Sequence, residues 1–208
     1  MNIQRLLICI CVVLTAAISA TAQSKVWSTE QAQKWGKENP WYCGVNYIPA
    51  TAINYTAMWD KTSFSPEVIE KEMKLMKSLG MNCARIVMQY AVYEEDPAYF
   101  IRTLDRFLSI CDKYGVKVMP IFFDDCAFGV NTDPTHGKLE KYVKEVMNHF
   151  KNDPRIFVWD LYNEPTNTTM PERSWPLLRK VFTWAREVNP KQPITSGLWN
   201  ENKELNDF

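Results

Sequence analysis

Residues 156–165 combine an apolar run with an Asn-Glu pair, in which the Glu side chain is capable of acid-base chemistry. The run ends in Asn163-Glu164-Pro165. A carboxyl group placed among aromatic side chains is partly shielded from water, which favours the protonated acid that can donate to a leaving oxygen. Asn163 beside it has both donor and acceptor groups for binding a hydroxyl. The motif equally suits a loop in which Glu164 only caps the following turn, so both interpretations stay open on the tripeptide alone.

Arg85 places a cation inside the apolar segment Cys83-Ala84-Arg85-Ile86-Val87. Buried charges are rare unless they are paired, so we expect a carboxylate partner close to it. A purely structural ion pair is the alternative to a functional one, and both require an acid nearby. Asp160 lies inside an apolar run of its own, and we interpret it as a hydrogen-bonded core group and not as a catalyst.

Asp124 and Asp125 are neighbouring carboxylates that follow a third apolar run. Such a pair binds hydroxyl groups or a metal ion, and a solvated turn is an equal alternative. A metal-dependent hydrolase using both residues with His136 is therefore a further hypothesis, although the ligand spacing is scattered. We predict no metal site, because the cysteines are widely spaced with no CxxC pair. We predict no cofactor, since the chain has no GxGxxG after its first strand and no P-loop for binding a nucleotide. A disulfide among the widely spaced cysteines after residue 22 stays open: Cys43, Cys83, Cys111 and Cys126.

The elements that must position these residues alternate along the chain. Candidate strands are separated by 34 to 40 residues, which is room for one strand, one helix and two loops. This alternation predicts parallel strands joined by helical crossovers, an α/β fold. The strands begin near Cys43, Cys83, Lys117, Ile156 and Ile194.

Four amphipathic helices are predicted between these strands, each with one apolar face. Gly80 and Gly115 are expected to end two of them in the left-handed conformation. The periodicity does not choose between an open doubly wound sheet and part of an eight-stranded barrel. The four apolar faces are Ile69, Met73, Met76 and Leu79; Phe100, Leu104, Phe107, Cys111 and Tyr114; Leu139, Val143, Val146 and Phe150; and Trp175, Leu178, Phe182 and Ala185.

The first 22 residues have the pattern of a cleaved signal peptide. Arg5 precedes the apolar run from Leu6 to Ile18, and Ala20-Thr21-Ala22 matches a small-x-small cleavage site. The run is shorter than the ~20 residues of a membrane span. We therefore expect a secreted or periplasmic domain of residues 23–208 with no membrane association after cleavage near Gln23. Lys and Arg number 24, and so do Asp and Glu, so the charge predicts no binding to nucleic acid.

The order of three motifs resembles glycoside hydrolase family 5, the cellulase-like (β/α)8 barrels. These motifs are Gly44-Val45-Asn46-Tyr47 on the first strand, Arg85 on the second, and Trp159-Asp160-Leu161-Tyr162-Asn163-Glu164-Pro165 on the fourth. Residues 46–54 resemble exported members of β-xylanase-like type. The resemblance covers essentially all of residues 40–200, and it predicts a TIM-barrel fold.

The resemblance implies a retaining hydrolase of O-glycosyl bonds that acts on β-linked oligosaccharide or polysaccharide. Glu164 would be the acid/base, Asn163 would hold the 2-hydroxyl of the sugar, and Arg85 would steady the nucleophile. The other residues that we expect to bind the carbohydrate, with the aromatic ones as stacking surfaces, are Asn46, Tyr47, Trp59, Asp124 and Trp199.

The nucleophile in this family is a second Glu at the end of a seventh strand, whereas this chain holds only five predicted strands and four helices. Glu201 and Glu204 come too early for that role. We therefore expect a truncated product or fragment with open sheet edges that is inactive alone. The alternative function is a non-catalytic carbohydrate-binding remnant that retains Tyr47, Trp59 and Trp199 as stacking surfaces.

Overall fold

The chain divides into two compact units, Met1–Asn39 and Pro40–Phe208. A computed structural model describes residues 26–124, 136–165 and 171–198, with the backbone alone for 171–173. The predicted signal peptide therefore lies outside the described residues, as do Asp125, Cys126 and Trp199. Among the described residues, no helix has both the length and the apolar character needed to cross a bilayer.

The first unit contains one helix that the sequence patterns above do not predict, α1 (Thr29–Glu38). Ser28 caps it by accepting a hydrogen bond from the Gln31 backbone N–H at 3.2 Å. Trp27 and Trp35 pack edge to face with their ring centroids 6.4 Å apart. No residue of α1 is buried.

The second unit is built on a parallel sheet with the strand order β1-β2-β3-β4-β5. Chain order and spatial order coincide, whereas a doubly wound sheet reverses its order at a switch point. The sheet is therefore an arc of the barrel type, and each predicted strand start is confirmed to within three residues. The strands are β1 (Gly44–Asn46), β2 (Cys83–Val87), β3 (Lys117–Ile121), β4 (Trp159–Asn163) and β5 (Ile194–Gly197).

Helices follow the strands as predicted, the first being α2 (Pro66–Ser78), and one short addition, α3 (Tyr90–Glu95), precedes α4 (Pro97–Lys113). Gly80 and Gly115 adopt φ values of 78° and 72° after α2 and α4, as the predicted caps require. Leu79 departs from its predicted apolar stripe, because it terminates α2 and is 63% exposed. The remaining helices are α5 (Gly137–Phe150) and α6 (Pro171–Val188).

An aromatic core lies between the sheet and its helices. Tyr142 of α5 packs against the rings of Tyr93, Phe100, Phe122 and Phe123 at centroid distances of 4.7 to 6.1 Å. All five side chains are buried. Burial of such large apolar surfaces is the main favourable contribution to folding. Because Phe122 and Phe123 directly follow β3, the cluster stabilises the carboxyl end of that strand.

Arg155, just before β4, binds the start of that strand to α4. Its guanidinium contacts Asp153 at 2.5 Å and Asp105 of α4 at 2.6 Å. Burial raises the pKa of the Asp153 carboxyl, but the hydrogen bonds from Arg155 together lower it by more than burial raises it. The pKa of Asp153 is therefore below its ordinary value. These contacts lie at the amino end of the strands, where barrel folds hold stabilising and not catalytic groups.

Candidate active site

Glu164 lies directly after β4 with a backbone that residues bearing a side chain rarely adopt. Its φ is 50°, and its N–H donates to the Gly197 carbonyl of β5 at 2.7 Å. The residue is half-buried. Left-handed backbone in a non-glycine residue is uncommon, and such strain is concentrated at functional sites. The hydrogen bond to β5 therefore fixes the direction in which this carboxyl group leaves the strand end.

Arg85 of β2 binds side chains of two other strands, β1 and β4. Its Nε and Nη2 donate to Asp160 Oδ2 at 3.0 and 2.5 Å, and Nη2 also donates to Asn163 Oδ1 at 2.7 Å. Its Nη1 donates to Asn46 Oδ1 of β1 at 3.1 Å. The expected carboxylate partner is confirmed, and it is Asp160 of β4.

The Asp160 carboxylate is fully buried and has partners on both oxygens. Oδ2 binds Arg85, while Oδ1 accepts from the backbone N–H groups of Tyr162 at 3.2 Å and Gly197 at 3.4 Å. Burial raises the pKa of the Asp160 carboxyl, and Arg85 opposes that rise. The interpretation of Asp160 as a hydrogen-bonded core group is confirmed.

Three predicted site residues, Asn46, Arg85 and Asn163, thus meet in one polar network. The Arg85 guanidinium can only donate, so the oxygen of each amide is the atom that faces it. Asn163 N–H also donates to the Phe123 carbonyl at 2.7 Å, and Asn163 pairs with the buried Asp124 in a parallel bridge. Asp124 therefore belongs to the same strand ends as Asn163.

Two aromatic residues that were expected to stack on a sugar are core residues instead. Trp59 has no exposed surface, and its Nε1 donates to the Val87 carbonyl at 2.8 Å while its ring packs on Phe107. The Tyr47 phenol is buried toward α2, where it donates to Glu72 at 2.6 Å. Burial and this hydrogen bond raise the pKa of Tyr47. The predicted stacking role is wrong for both residues, because neither ring has an open face.

The metal hypothesis finds no arrangement to support it in the described part of the chain. In residues 26–124, 136–165 and 171–198, no three His, Cys, Asp or Glu side chains come close enough to hold a metal ion. His136 is buried in the left-handed conformation at the start of α5. The thiols of Cys43, Cys83 and Cys111 are free.

Gly197 is the site residue that sequence reasoning missed. Its N–H and its carbonyl bind Asp160 and Glu164 respectively, and its Cα borders the guanidinium of Arg85. A lone glycine in the run Ile194-Thr195-Ser196-Gly197 carries no signal of this kind. Only the neighbouring strands show why it lies there.

The network lies at the carboxyl ends of consecutive parallel strands, which is where barrel enzymes place their chemistry. Residues 27–208 match the family model described as Cellulase (glycosyl hydrolase family 5). The chain belongs to glycosyl hydrolase family 5. The resemblance of Gly44–Tyr47, Arg85 and Trp159–Pro165 to this family is confirmed.

Curated relatives of this family 5 chain include glycosidases. A β-glucuronidase of Chlorocebus aethiops is 25% identical over 142 residues, which are 64% of this chain and 18% of the relative. A probable mannan endo-1,4-β-mannosidase A-2 of Aspergillus terreus is 23% identical over 118 residues, 47% of this chain and 29% of the relative. The chain thus spans less than a third of either relative's length.

Solved structures share the fold. A GH5_18 protein of Streptomyces cattleya in complex with GlcNAc superposes with a TM-score of 0.59 at 14% identity, covering 74% of this chain and 44% of that one. The β-mannanase of the blue mussel Mytilus edulis gives 0.55 at 17% identity, covering 73% and 57%. At these identities the likeness concerns the fold alone, and it matches the sequential parallel sheet.

Proposed function

We propose that Glu164 is the acid/base of a retaining hydrolase of O-glycosyl bonds that acts on β-linked oligosaccharide or polysaccharide. The observation that carries this proposal is the position of Glu164 at the end of β4, next to an Asn163 that Arg85 holds in place. Membership in family 5 and the glycosidase relatives support it.

Asn163 has a defined task in this proposal. Its Oδ1 accepts from Arg85 at 2.7 Å, so the amide Nδ2 group points away from the guanidinium and is available to donate to a sugar hydroxyl. A hydrogen bond to the 2-hydroxyl that strengthens in the transition state contributes to glycoside hydrolysis. Arg85 then acts on the substrate through Asn163. In its proposed second role, Arg85 would steady the nucleophile while its guanidinium is held by Asp160.

The substrate panel follows from the relatives' names, from the cellulase family model and from the β-xylanase-like resemblance. The purified chain is incubated with aryl β-mannosides, β-glucosides, β-xylosides and β-glucuronides. Turnover that falls by a factor of about 10² to 10⁴ in Glu164→Gln, the range of a lost general acid, would support the acid/base role and would contradict the expectation that this chain is inactive alone. The loss should shrink with a dinitrophenyl leaving group, because that phenolate departs without a proton. Glu67→Gln, on the exposed face of α2, is the matched control and should keep full activity.

Three other outcomes separate the alternatives. Oligosaccharide binding without turnover, unchanged in Glu164→Gln, would contradict the acid/base role and favour the carbohydrate-binding remnant. Binding without turnover that weakens in both Glu164→Gln and Asn163→Ala would place both residues at the sugar while denying the chain the reaction itself. Loss of activity on chelation would instead support a metal-dependent hydrolase.

We propose export through cleavage after Ala22, with residues 23–208 as the remaining N-terminal part of the family 5 catalytic domain. The support is the charged start, the apolar run and the small residues before Gln23. Expression with its native leader, followed by N-terminal sequencing of the secreted or periplasmic fraction, should give a chain that begins at Gln23. An intact Met1 in the soluble cell fraction would contradict export.

A further inference from the structure

Gly197 of β5 occupies the point where the polar network comes nearest to a neighbouring backbone. A Cβ on this residue would lie 3.1 Å from Arg85 Nη2 and 3.6 Å from both Asn163 Oδ1 and Asp160 Oδ2. Nη2 is already bound at 2.5 Å to Asp160 and at 2.7 Å to Asn163, so it cannot retreat without lengthening one of these bonds. A side chain here would therefore press on the guanidinium itself.

The backbone of Gly197 does not by itself demand a glycine. Among the described glycines, only Gly80 and Gly115 have the positive φ that favours this residue type. The requirement at Gly197 is therefore space, and that space is filled by Arg85, Asn163 and Asp160. Glycine at strand positions commonly marks such a close approach.

Both backbone polar groups of Gly197 also serve the site. Its N–H donates to Asp160 Oδ1 at 3.4 Å, and its carbonyl accepts the Glu164 N–H at 2.7 Å. The second bond holds the residue whose φ is 50°. Gly197 thus borders the Arg85 guanidinium that holds Asn163, and it also restrains the backbone of Glu164.

We propose that Gly197 is a positioning residue for this site: its missing side chain leaves the space in which Arg85 bridges Asp160 and Asn163, and its carbonyl sets the direction of Glu164. The inference rests on the proposed roles of Asn163 and Glu164 for its consequence in catalysis. The positioning itself is a property of the folded chain and can be measured without turnover.

The test is Gly197→Ala in the full chain, followed by ¹⁵N NMR of the Arg85 Nε–Hε group. In the parent chain this group donates to a fully buried carboxylate, so its proton should exchange slowly with water. We expect exchange at least tenfold faster in Gly197→Ala, together with a shifted Asn163 side-chain amide signal. Gly36→Ala adds the same methyl group in α1 with no atom within 4 Å, and it should leave both signals unchanged.

A second variant keeps the proposal testable if Gly197→Ala does not fold. Lysine has no Nη2, so the Arg85→Lys background should tolerate the extra methyl group, and Gly197→Ala should lower the urea midpoint less there than in the parent. Failure of the double variant to fold where Arg85→Lys alone folds would overturn the proposal, as would unchanged Arg85 and Asn163 signals in a folded Gly197→Ala. Where the parent turns over an aryl glycoside, Gly197→Ala should lower kcat at least tenfold. A parent that neither binds nor hydrolyses an oligosaccharide would contradict the proposed function and leave the NMR result intact.

Discussion

Arg85 and Asp160 are 75 residues apart in the chain and form a two-bond ion pair between the middle of β2 and the second residue of β4. The Asp160 side chain has no exposed surface, and that of Arg85 is 24% exposed. Because β3 separates these two strands, the pair spans the strand between them. The ion pair therefore forms only when β2, β3 and β4 lie side by side in this order, so its presence indicates that the sheet has assembled correctly.

Removing one member of this pair should destabilise the chain more than removing both. We expect Asp160→Asn to lower the free energy of unfolding by about 2 to 3 kcal/mol. This is at or below the low end of the range for breaking a buried ion pair, because water reaches part of Arg85. The double variant Arg85→Met/Asp160→Leu leaves no uncompensated charge and should lose less. Urea unfolding followed by circular dichroism measures both, and a double variant less stable than Asp160→Asn would contradict this account.

The scaffold was predictable because a buried parallel strand needs a continuous apolar run and a crossover helix needs an apolar stripe. Both patterns are local, and they recur along the chain at each unit from Gly44 to Gly197. The need of Arg85 for a carboxylate was equally predictable from the desolvation of a charge. Its identity was not, since the partner is 75 residues away.

The side-chain roles between β1 and α2 were less predictable. Trp59 and Tyr47 have the residue types of a sugar platform, but the same rings fill cores, and composition does not say which way they face. Gly197 was overlooked for a related reason, since the contact it permits involves β2 and β4. The six residues of α3 are too few to show a periodic pattern.

Trp59 should affect stability and not sugar binding. Trp59→Ala removes a fully buried indole, and we expect it to lower the free energy of unfolding by about 3 to 5 kcal/mol. Trp59→Phe keeps most of the ring but loses the hydrogen bond to the Val87 carbonyl, so about 1 to 2 kcal/mol is expected. Trp41→Phe is the control, because Trp41 is 89% exposed and should leave stability unchanged. Weaker binding of an oligosaccharide by a Trp59→Phe variant of undiminished stability would restore the stacking role.

The ion pairs of Arg155 predict a pH dependence of stability. The pKa of Asp153 is lowered in the folded chain, so its contribution to stability is present above its unfolded pKa of about 3.9 and is lost as pH falls through the folded pKa. Arg155→Met removes the main cause of that lowering. We expect it to lower the free energy of unfolding by about 1 to 3 kcal/mol at pH 7, with a smaller difference below pH 4. Lys74→Met, an exposed cation on α2, should show neither effect. A difference between Arg155→Met and the parent that is constant from pH 7 to pH 3 would argue against an electrostatic origin.

Glu164→Gly should separate the two interpretations of the Asn-Glu-Pro motif. A residue with a side chain pays about 1 kcal/mol for left-handed backbone, so relief of that strain at φ 50° should raise the free energy of unfolding by up to this amount. Asn189→Gly is the matched control at φ 54°, and its gain should be smaller because asparagine adopts this conformation more readily. A Glu164→Gly variant that is more stable but has lost the proposed acid/base function is the result expected of a site that trades stability for function. Lower stability in urea unfolding would instead mean that the Glu164 side chain supports the turn, which is the structural role that the sequence left open.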